Sequence, residues 1–388
     1  MPAASVEVDA GVAPSIPMPP NLSVTRKLAY EVKLPPQAQP SLARVKSDDQ
    51  EASASRTASH PAAPARARAS IGFRSLRRVP ITSGATLFCM VKNESYLLPH
   101  FLAHYRGLGI ENFVFYDDRS TDGTLDLLAA QPDCSMLTSD REYREPMADG
   151  RSFQVHAKSA IPQSLGAGRW VLTVDADEFL QLPSAYTSLP ALCTDLDRWG
   201  YRCVLASMVD FYPERLADRK HPRDRSPFDG SPFFDTDRLF QRSDKSVRPV
   251  QSFKGVRARL LSMLQARDPA QHLRLTSERG YECATLWKVP LIRTGSGVTL
   301  ETVHSVNIQP PFDVELALAH FKFGPDLDGR IADALLSRNY YRGSIEYDFL
   351  KAAVDVLSNE SLVFGGSARY AGPASLESAG LCFAARES

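Results

Sequence analysis

The chain has 388 residues, 43% of them hydrophobic, and its 45 Lys and Arg are matched by 45 Asp and Glu. A net charge of zero excludes nucleic-acid binding driven by bulk electrostatics. No apolar run approaches the ~18 residues of a membrane-spanning helix. The first residues, MPAASVEVDAGVAPSIPMPP, have neither the basic start nor the apolar stretch of a signal peptide. The six cysteines (Cys89, Cys134, Cys193, Cys203, Cys283, Cys382) are scattered without a CxxC pair. That usage predicts a reducing, cytoplasmic setting and no structural zinc.

Residues 1–80 are rich in Ala, Pro, Ser and Arg and lack periodicity, which predicts a disordered segment. Its last part, IGFRSLRR, reads as a solvated linker, with weak contact to an anionic membrane surface as the alternative. Order is expected from ATLFCMVKNE. Ala85–Val91 is an apolar run suited to a strand buried on both faces. In SYLLPHFLAHYRGLG, Leu97, Phe101 and Tyr105 are spaced by four, as are Leu98 and Leu102, which predicts an amphipathic helix closed by Gly107 and Gly109. NFVFY (112–116) is a second strand, and DDRSTDGTLDLLAAQ a polar turn entering a helix with Ser120, Thr121 and Asp122 as candidate caps. SMLTS is a third strand, a helix is expected over about 150–166, and RWVLTV is a fourth strand.

This alternation predicts an α/β domain with a mainly parallel sheet and helices on both faces. Ligands bind such sheets beyond the carboxyl ends of the strands. Three polar segments stand at those ends: Lys92-Asn93-Glu94, Asp117-Asp118 and Asp175-Ala176-Asp177-Glu178. The second half is less regular. YRCVLASMVDFY, RLFQRS, SFKGVRA, LWKVPLIR, ETVHSVNI and VELALAHFKFG have β character, GRIADALLSRN and EYDFLKAAVDVL look helical, and the Gly-, Ala- and Ser-rich tail from about 365 is expected to be poorly ordered.

Three acids in four positions repel one another. Two carboxylates at a strand end can hold Mg²⁺ or Mn²⁺, which prefer oxygen ligands and complete their shells with water and substrate phosphate. The alternative is that the acids brace a turn and pair with nearby basic residues.

KNE, DDRSTDGT and DADEF, in that order, resemble the family 2-like glycosyltransferases of GT-A fold, and more narrowly a bacterial branch related to family 92. The similarity is good over about 85–183 and weaker to about 325. It implies a nucleotide-sugar-binding half (81–183), an acceptor-side half with a smaller mixed region (184–330), and C-terminal helices with a flexible tail (331–388). It further implies an inverting, metal-dependent glycosyl transfer from a nucleotide-diphosphate donor, UDP-sugar favoured, to a hydroxyl of a glycan or glycolipid. Lys92, Asn93, Glu94, Asp117 and Asp118 would then line the nucleotide pocket. Asp175 would face the ribose, and Asp177 would ligate Mn²⁺ or Mg²⁺. His320 is a candidate third metal ligand, His304 and Asp175 are further candidates, and Glu178 would orient the loop.

An inverting enzyme also needs a base for the acceptor hydroxyl. Asp210, Asp235 and Asp237 are the leading candidates, with Glu214 and Glu301 behind them. Lys254, Lys288 and Lys322 are candidate phosphate or acceptor contacts. His100 and His104, one helical turn apart, lack an evident third zinc ligand. Neither GxGxxG nor GxxxxGK[ST] occurs, which disfavours dinucleotide and P-loop readings. Two rival functions stay open: a sugar nucleotidyltransferase, and a non-catalytic glycan- or nucleotide-binding protein on the same fold.

Overall fold

The computed structural model describes residues 72–282 and 285–385, all within one compact unit. Expectations for residues 1–71 and for Cys283 lie outside these residues. The other five cysteines are buried free thiols.

A ten-stranded mixed sheet forms the centre. Its strands are β1 (Arg74–Arg77), β2 (Ala85–Val91), β3 (Ile110–Asp117), β4 (Cys134–Thr138), β5 (Trp170–Asp175), β6 (Glu178–Gln181), β7 (Cys203–Asp210), β11 (Trp287–Arg293), β12 (Val314–His320) and β14 (Phe383–Ala384). Two small ladders complete the strands: β9 (Phe240–Ser243) with β10 (Ser246–Gln251), and β8 (Phe233–Asp235) with β13 (Ser367–Arg369). The main order is β1-β4-β3-β2-β5-β11-β7-β12-β14, with β6 also on β12. Strands β4, β3, β2 and β5 are parallel neighbours. Strand β11 is antiparallel to both β5 and β7, and β7 is parallel to β12. So β2, β3, β4, β5, β7 and β12 all point the same way, and their carboxyl ends form one edge. Within β11, Pro290 has no N–H for the ladder, and the register slips between Lys288 and Leu291.

The periodicity of the first helix is realised. In α1 (Leu98–Gly107), Leu98, Phe101, Leu102 and Tyr105 are buried against the sheet, with Leu97 buried just ahead of it. Helices α2 (Thr124–Ala129) and α3 (Phe153–Gln163) follow β3 and β4, and α4 (Leu189–Arg198) follows β6. Four expectations are corrected. Residues 72–80 are not a free linker: β1 pairs with β4, and Arg77 donates to the carbonyls of Leu128, Ala129 and Gln131 at the end of α2. Arg74 pairs with Asp140 at the surface. SFKGVRA is not a strand. It leads into α5 (Val256–Arg267), whose Val256, Leu260 and Leu264 are buried at intervals of four. ETVHSVNI is a loop closed by one bridge between Leu300 and Val306. The tail after 365 is likewise structured, because Leu376, Leu381 and Cys382 bury themselves and β14 joins the start of β12.

Helix α7 (Tyr341–Leu357) packs on both α5 and α6 (Leu327–Ser337), and the three share a second apolar cluster. No described helix is long and apolar enough to cross a membrane.

One side chain ties α1 to the acidic turn. The fully buried Tyr105 hydroxyl donates to the Glu178 carbonyl at 2.8 Å and accepts from the Leu180 amide at 3.0 Å. Replacement by Phe leaves both backbone groups unpaired. We expect Tyr105→Phe to lower the unfolding free energy by about 1–3 kcal/mol in urea titrations.

Candidate active site

The carboxyl edge of the sheet opens into a cleft of about 740 Å³. Register explains the convergence. Met90 lies beside Asp175 and Val91 beside Asp117. At the other end, His320 lies between Asp210 of β7 and Glu178 of β6. The turn Ala176-Asp177 carries the chain from the middle of the sheet to the outer edge of β12, and Asp177 is thereby set against His320.

The first two motifs form one structure. Asn93 takes a left-handed backbone (φ 57°), which Asn tolerates better than most residues. Its amide is bonded to the Ser120 hydroxyl, and its side-chain oxygen accepts from the Thr121 amide at 2.8 Å. The Glu94 amide donates to the Thr124 hydroxyl and the Ser95 amide to Asp122. The loops after β2 and β3 are thus stitched together, which is one reason these residue types occur in both. Lys92, Asn93, Glu94 and Asp118 line the cleft. Asp117 does not: its carboxylate accepts from the Ser120 amide and braces the turn, correcting its assignment to the nucleotide pocket. The Asn93 side chain is also committed, since its amino group donates to Asp333 of α6 at 3.0 Å. Asp118 pairs with Lys92 at 3.7 Å and Arg119 at 3.3 Å, and burial still raises its pKa. Burial also pushes the Glu94 carboxyl well above the usual range, and its Oε2 has no hydrogen-bond partner.

The acidic turn is compensated by protein cations. Asp175 pairs with Lys158 of α3 at 2.5 Å and with Lys288 of β11 at 3.3 Å. Lys288 also meets Glu178 at 2.6 Å, and Glu178 accepts from the Asp175 amide. Burial alone would raise Asp175, but the two lysines hold it below the ordinary carboxylate value. Asp177 faces Arg330 at 3.0 Å, His320 Nε2 at 3.5 Å and Lys322 at 3.7 Å, all on Oδ2. These outweigh its burial and keep it ionised. Lys288 therefore serves the turn rather than a substrate, and Glu178 orients the loop as expected. The sequence reading missed Lys158 and Arg330. Lys158 sits amid FQVHAKSAI, in a helix that also buries Phe153, Ala157 and Ile161 in one apolar cluster. A lysine on an apolar helix face next to an acidic strand end was the available signal.

None of the three leading base candidates lines the cleft. Asp210 accepts from Nε and Nη2 of Arg257 at 2.7 and 3.0 Å and from His320 Nδ1 at 2.7 Å. Despite burial, Arg257 and His320 lower it to about 2, which makes it a poor proton acceptor. Asp235 is held by Arg259 and by the Tyr212 hydroxyl, and Asp237 pairs with Lys254 on the surface. All three assignments are corrected: Asp210 orients His320, Asp235 is held within the fold, and Asp237 lies on the surface away from the cleft. That last pairing also takes Lys254 away from phosphate. The zinc notion for His100 and His104 gains nothing, since their Nε2 atoms bond the carbonyls of Arg223 and Leu180.

His304 and His320 both line the cleft. A carbonyl can accept but not donate, so the 2.9 Å contact with the Trp287 carbonyl puts the His304 proton on Nδ1 and leaves a lone pair on Nε2. Burial and nearby Lys288 lower its pKa to about 4, so it is neutral at pH 7. His320 behaves oppositely: burial pulls it down, but Asp177 and Asp210 prevail and raise it to about 9.

A divalent cation fits part of this set. His320, oriented through Nδ1 by Asp210, presents Nε2 toward Asp177 in the carboxylate–histidine pattern of metal sites. Among the described residues no group of three or more His, Cys, Asp or Glu could hold a metal alone. Asp177 and His320 would supply two ligands, and substrate phosphate and water the rest. Asp175, with both oxygens on lysines, is not placed for this.

Lys322, just after β12, and the C-terminal helical region form one wall of the cleft, the latter through Arg330, Asp333, Tyr340, Tyr341 and Tyr347. Comparison with protein-family models and with curated protein sequences finds no match to this chain.

The Lys288–Glu178 pair is almost wholly buried, at 2% and 1% side-chain exposure. Lys288→Met should therefore cost about 3–5 kcal/mol, because it strands a buried carboxylate. Adding Glu178→Gln should recover more than half of the loss in the same denaturation assay. A pH window also follows. His104 and His304 are each lowered from 6.5 to about 4, for His104 chiefly by burial. As pH falls the unfolded chain takes up these protons first, so the part of the stability owed to these two histidines should decline from about pH 6.5 to about pH 4, while the raised Glu94 and Asp118 carboxyls act in the opposite sense. The raised His320 contributes fully below its unfolded value and does not oppose this trend. The difference in thermal midpoint between wild type and His304→Gln tests it for His304: the difference should move in favour of the variant as pH falls across that window.

Proposed function

We propose that the protein is a metal-dependent inverting glycosyltransferase of the GT-A type, moving a sugar from a nucleotide-diphosphate donor to a hydroxyl of a glycan or glycolipid acceptor in the cytoplasm. The observation that carries this reading is the meeting of KNE, DDRSTDGT and DADEF with His320, Lys322 and Arg330 around one cleft. The order and content of those motifs resemble the family 2-like enzymes. A cleft of about 740 Å³ lies within the ~300–1,000 Å³ range typical of small-molecule sites.

Lys92, Glu94 and Asp118 would receive the nucleoside, with Asp118 and Glu94 as acceptors for ribose or base donors. UDP is favoured by the resemblance. Lys322 and Arg330 would bind the diphosphate, Arg330 with a planar fork and Lys322 as a point charge. When bound to Asp177, His320 and the diphosphate, a divalent cation would stabilise the charge that builds on the leaving group. Fixed cations around the site act in the same sense, because they are already oriented toward where charge develops. The anomeric carbon passes through an oxocarbenium-like state.

The acceptor hydroxyl must give up its proton as the new bond forms. With Asp210, Asp235 and Asp237 turned away, we assign that role to His304 Nε2, which carries a lone pair in the cleft. Its present low pKa reflects neighbouring lysines as well as burial. Negative charge on a bound diphosphate would raise it toward neutral pH. A second reading, a non-catalytic nucleotide- or glycan-binding protein, is favoured by the same turning-away of the three carboxylates. A nucleotidyltransferase has less support, since KNES stands where a Gly-rich and basic triphosphate loop would be.

Calorimetry with UDP and GDP, with and without Mn²⁺, tests the donor half. We expect one nucleotide to bind with Mn²⁺ and Asp177→Ala to abolish the Mn²⁺-dependent part. Binding of neither nucleotide in either condition contradicts the reading. His304→Gln should lower kcat by about 10²–10⁴-fold while leaving nucleotide affinity within a few-fold. An unchanged kcat would assign the proton to another group.

A further inference from the structure

Every acid of the turn is already engaged by protein cations. Asp175, Asp177 and Glu178 are each met in this way: Lys158 and Lys288 on Asp175, Lys288 on Glu178, and Arg330, Lys322 and His320 on Asp177. Every ion pair of Asp177 falls on the same oxygen, Oδ2. A lone divalent cation approaching Asp177 thus meets two neighbours, Arg330 and Lys322, that stay charged throughout the neutral pH range.

The two differ in mobility. Arg330 is anchored: Nη2 donates to the Lys322 carbonyl at 2.9 Å and the Phe321 carbonyl at 3.3 Å, and Nε lies 2.9 Å from Asp326. Its Nη1 is the arm given to Asp177. An anion in the cleft could take a hydrogen bond from Nη1 without the guanidinium leaving its carbonyl anchors. Lys322 sits at 3.7 Å from Asp177, beyond hydrogen-bond distance, with Nζ 5.6 Å from the centre of the Tyr347 ring. Its flexible stem lets it follow an anion.

We propose that Arg330 and Lys322 guard Asp177 against a lone divalent cation and release it to metal when a nucleoside diphosphate engages them, so that diphosphate and cation bind as one coupled event with the diphosphate leading. This rests on the donor reading above. Arg330 and Lys322 turn part of their charge to the diphosphate, and Asp177 Oδ2 becomes available as a ligand. Linkage requires the coupling to be reciprocal: whatever factor the diphosphate adds to cation affinity, the cation adds to diphosphate affinity.

The test counts free Mn²⁺ by electron paramagnetic resonance and follows UDP and GDP by calorimetry, on the full chain. Wild type should bind Mn²⁺ alone weakly, and the nucleotide it accepts should tighten Mn²⁺ by about tenfold or more, with an equal factor in the reverse titration. Arg330→Gln should bind Mn²⁺ alone more tightly than wild type, bind the nucleotide alone less tightly, and show a smaller coupling factor. Lys322→Met, which leaves the Arg330 anchors in place, should shift all three in the same direction and covers the case in which the arginine variant fails to fold. Tight Mn²⁺ binding to wild type without nucleotide, unchanged in both variants, would overturn the proposal. Nucleotide binding indifferent to Mn²⁺ would overturn the coupling alone. Absence of all nucleotide binding would overturn it through failure of the donor reading.

Discussion

Burying carboxylates at the end of a central strand requires cations to be brought to them, and much of the second half of this chain serves that end. Lys158 arrives from α3, Lys288 from β11, His320 and Lys322 from the end of β12, and Arg330 from α6. Each is fixed by a different connection, so the acidic turn binds together elements remote in sequence. A buried ion pair gains little over an apolar pair of the same shape, but removing one partner is costly. That asymmetry makes the network a poor device for stability and a good one for holding charges in a defined arrangement.

The direction of the strands converts this arrangement into a site. Six strands share one sense, and their carboxyl ends present Lys92, Asp118, Asp175, Asp177 and His320 to the same cleft. The antiparallel β11 sits among them as a spacer, with Lys288 aimed at Asp175 and Glu178. Strand β6 runs back along β12, and Tyr105 fixes its backbone from below. The chemistry proposed for the cleft uses charges that the fold had to place for its own integrity.

The first half of the fold was legible because its signals are local. The apolar runs of β2, β3 and β5 and the spacing of Leu98, Phe101 and Tyr105 are properties of short windows. The polar strand ends were legible for the same reason, and Asp118, Asp175, Asp177, His304 and His320 do meet. The failures are non-local. Asp210, Asp235 and Asp237 look alike in sequence, and nothing nearby announces that Arg257, Arg259 and Lys254 will claim them. Lys158 and Arg330 sit on helices, 17 and 153 residues from their partners Asp175 and Asp177. The loop with His304 has β character in its Thr and Val residues, but its backbone bonds close a turn around Ser305. Likewise Val256, Leu260 and Leu264 form a helical stripe hidden among arginines.

The central claim is that this cleft receives a nucleoside diphosphate at the carboxyl edge of the sheet. The most direct measurement is a crystal structure of the protein with the nucleoside diphosphate and Mn²⁺. The account predicts the nucleoside beside Lys92, Glu94 and Asp118, and the diphosphate against Lys322 and Arg330. A nucleotide bound elsewhere on the molecule, or its diphosphate turned away from Arg330 and Asp177, would contradict it.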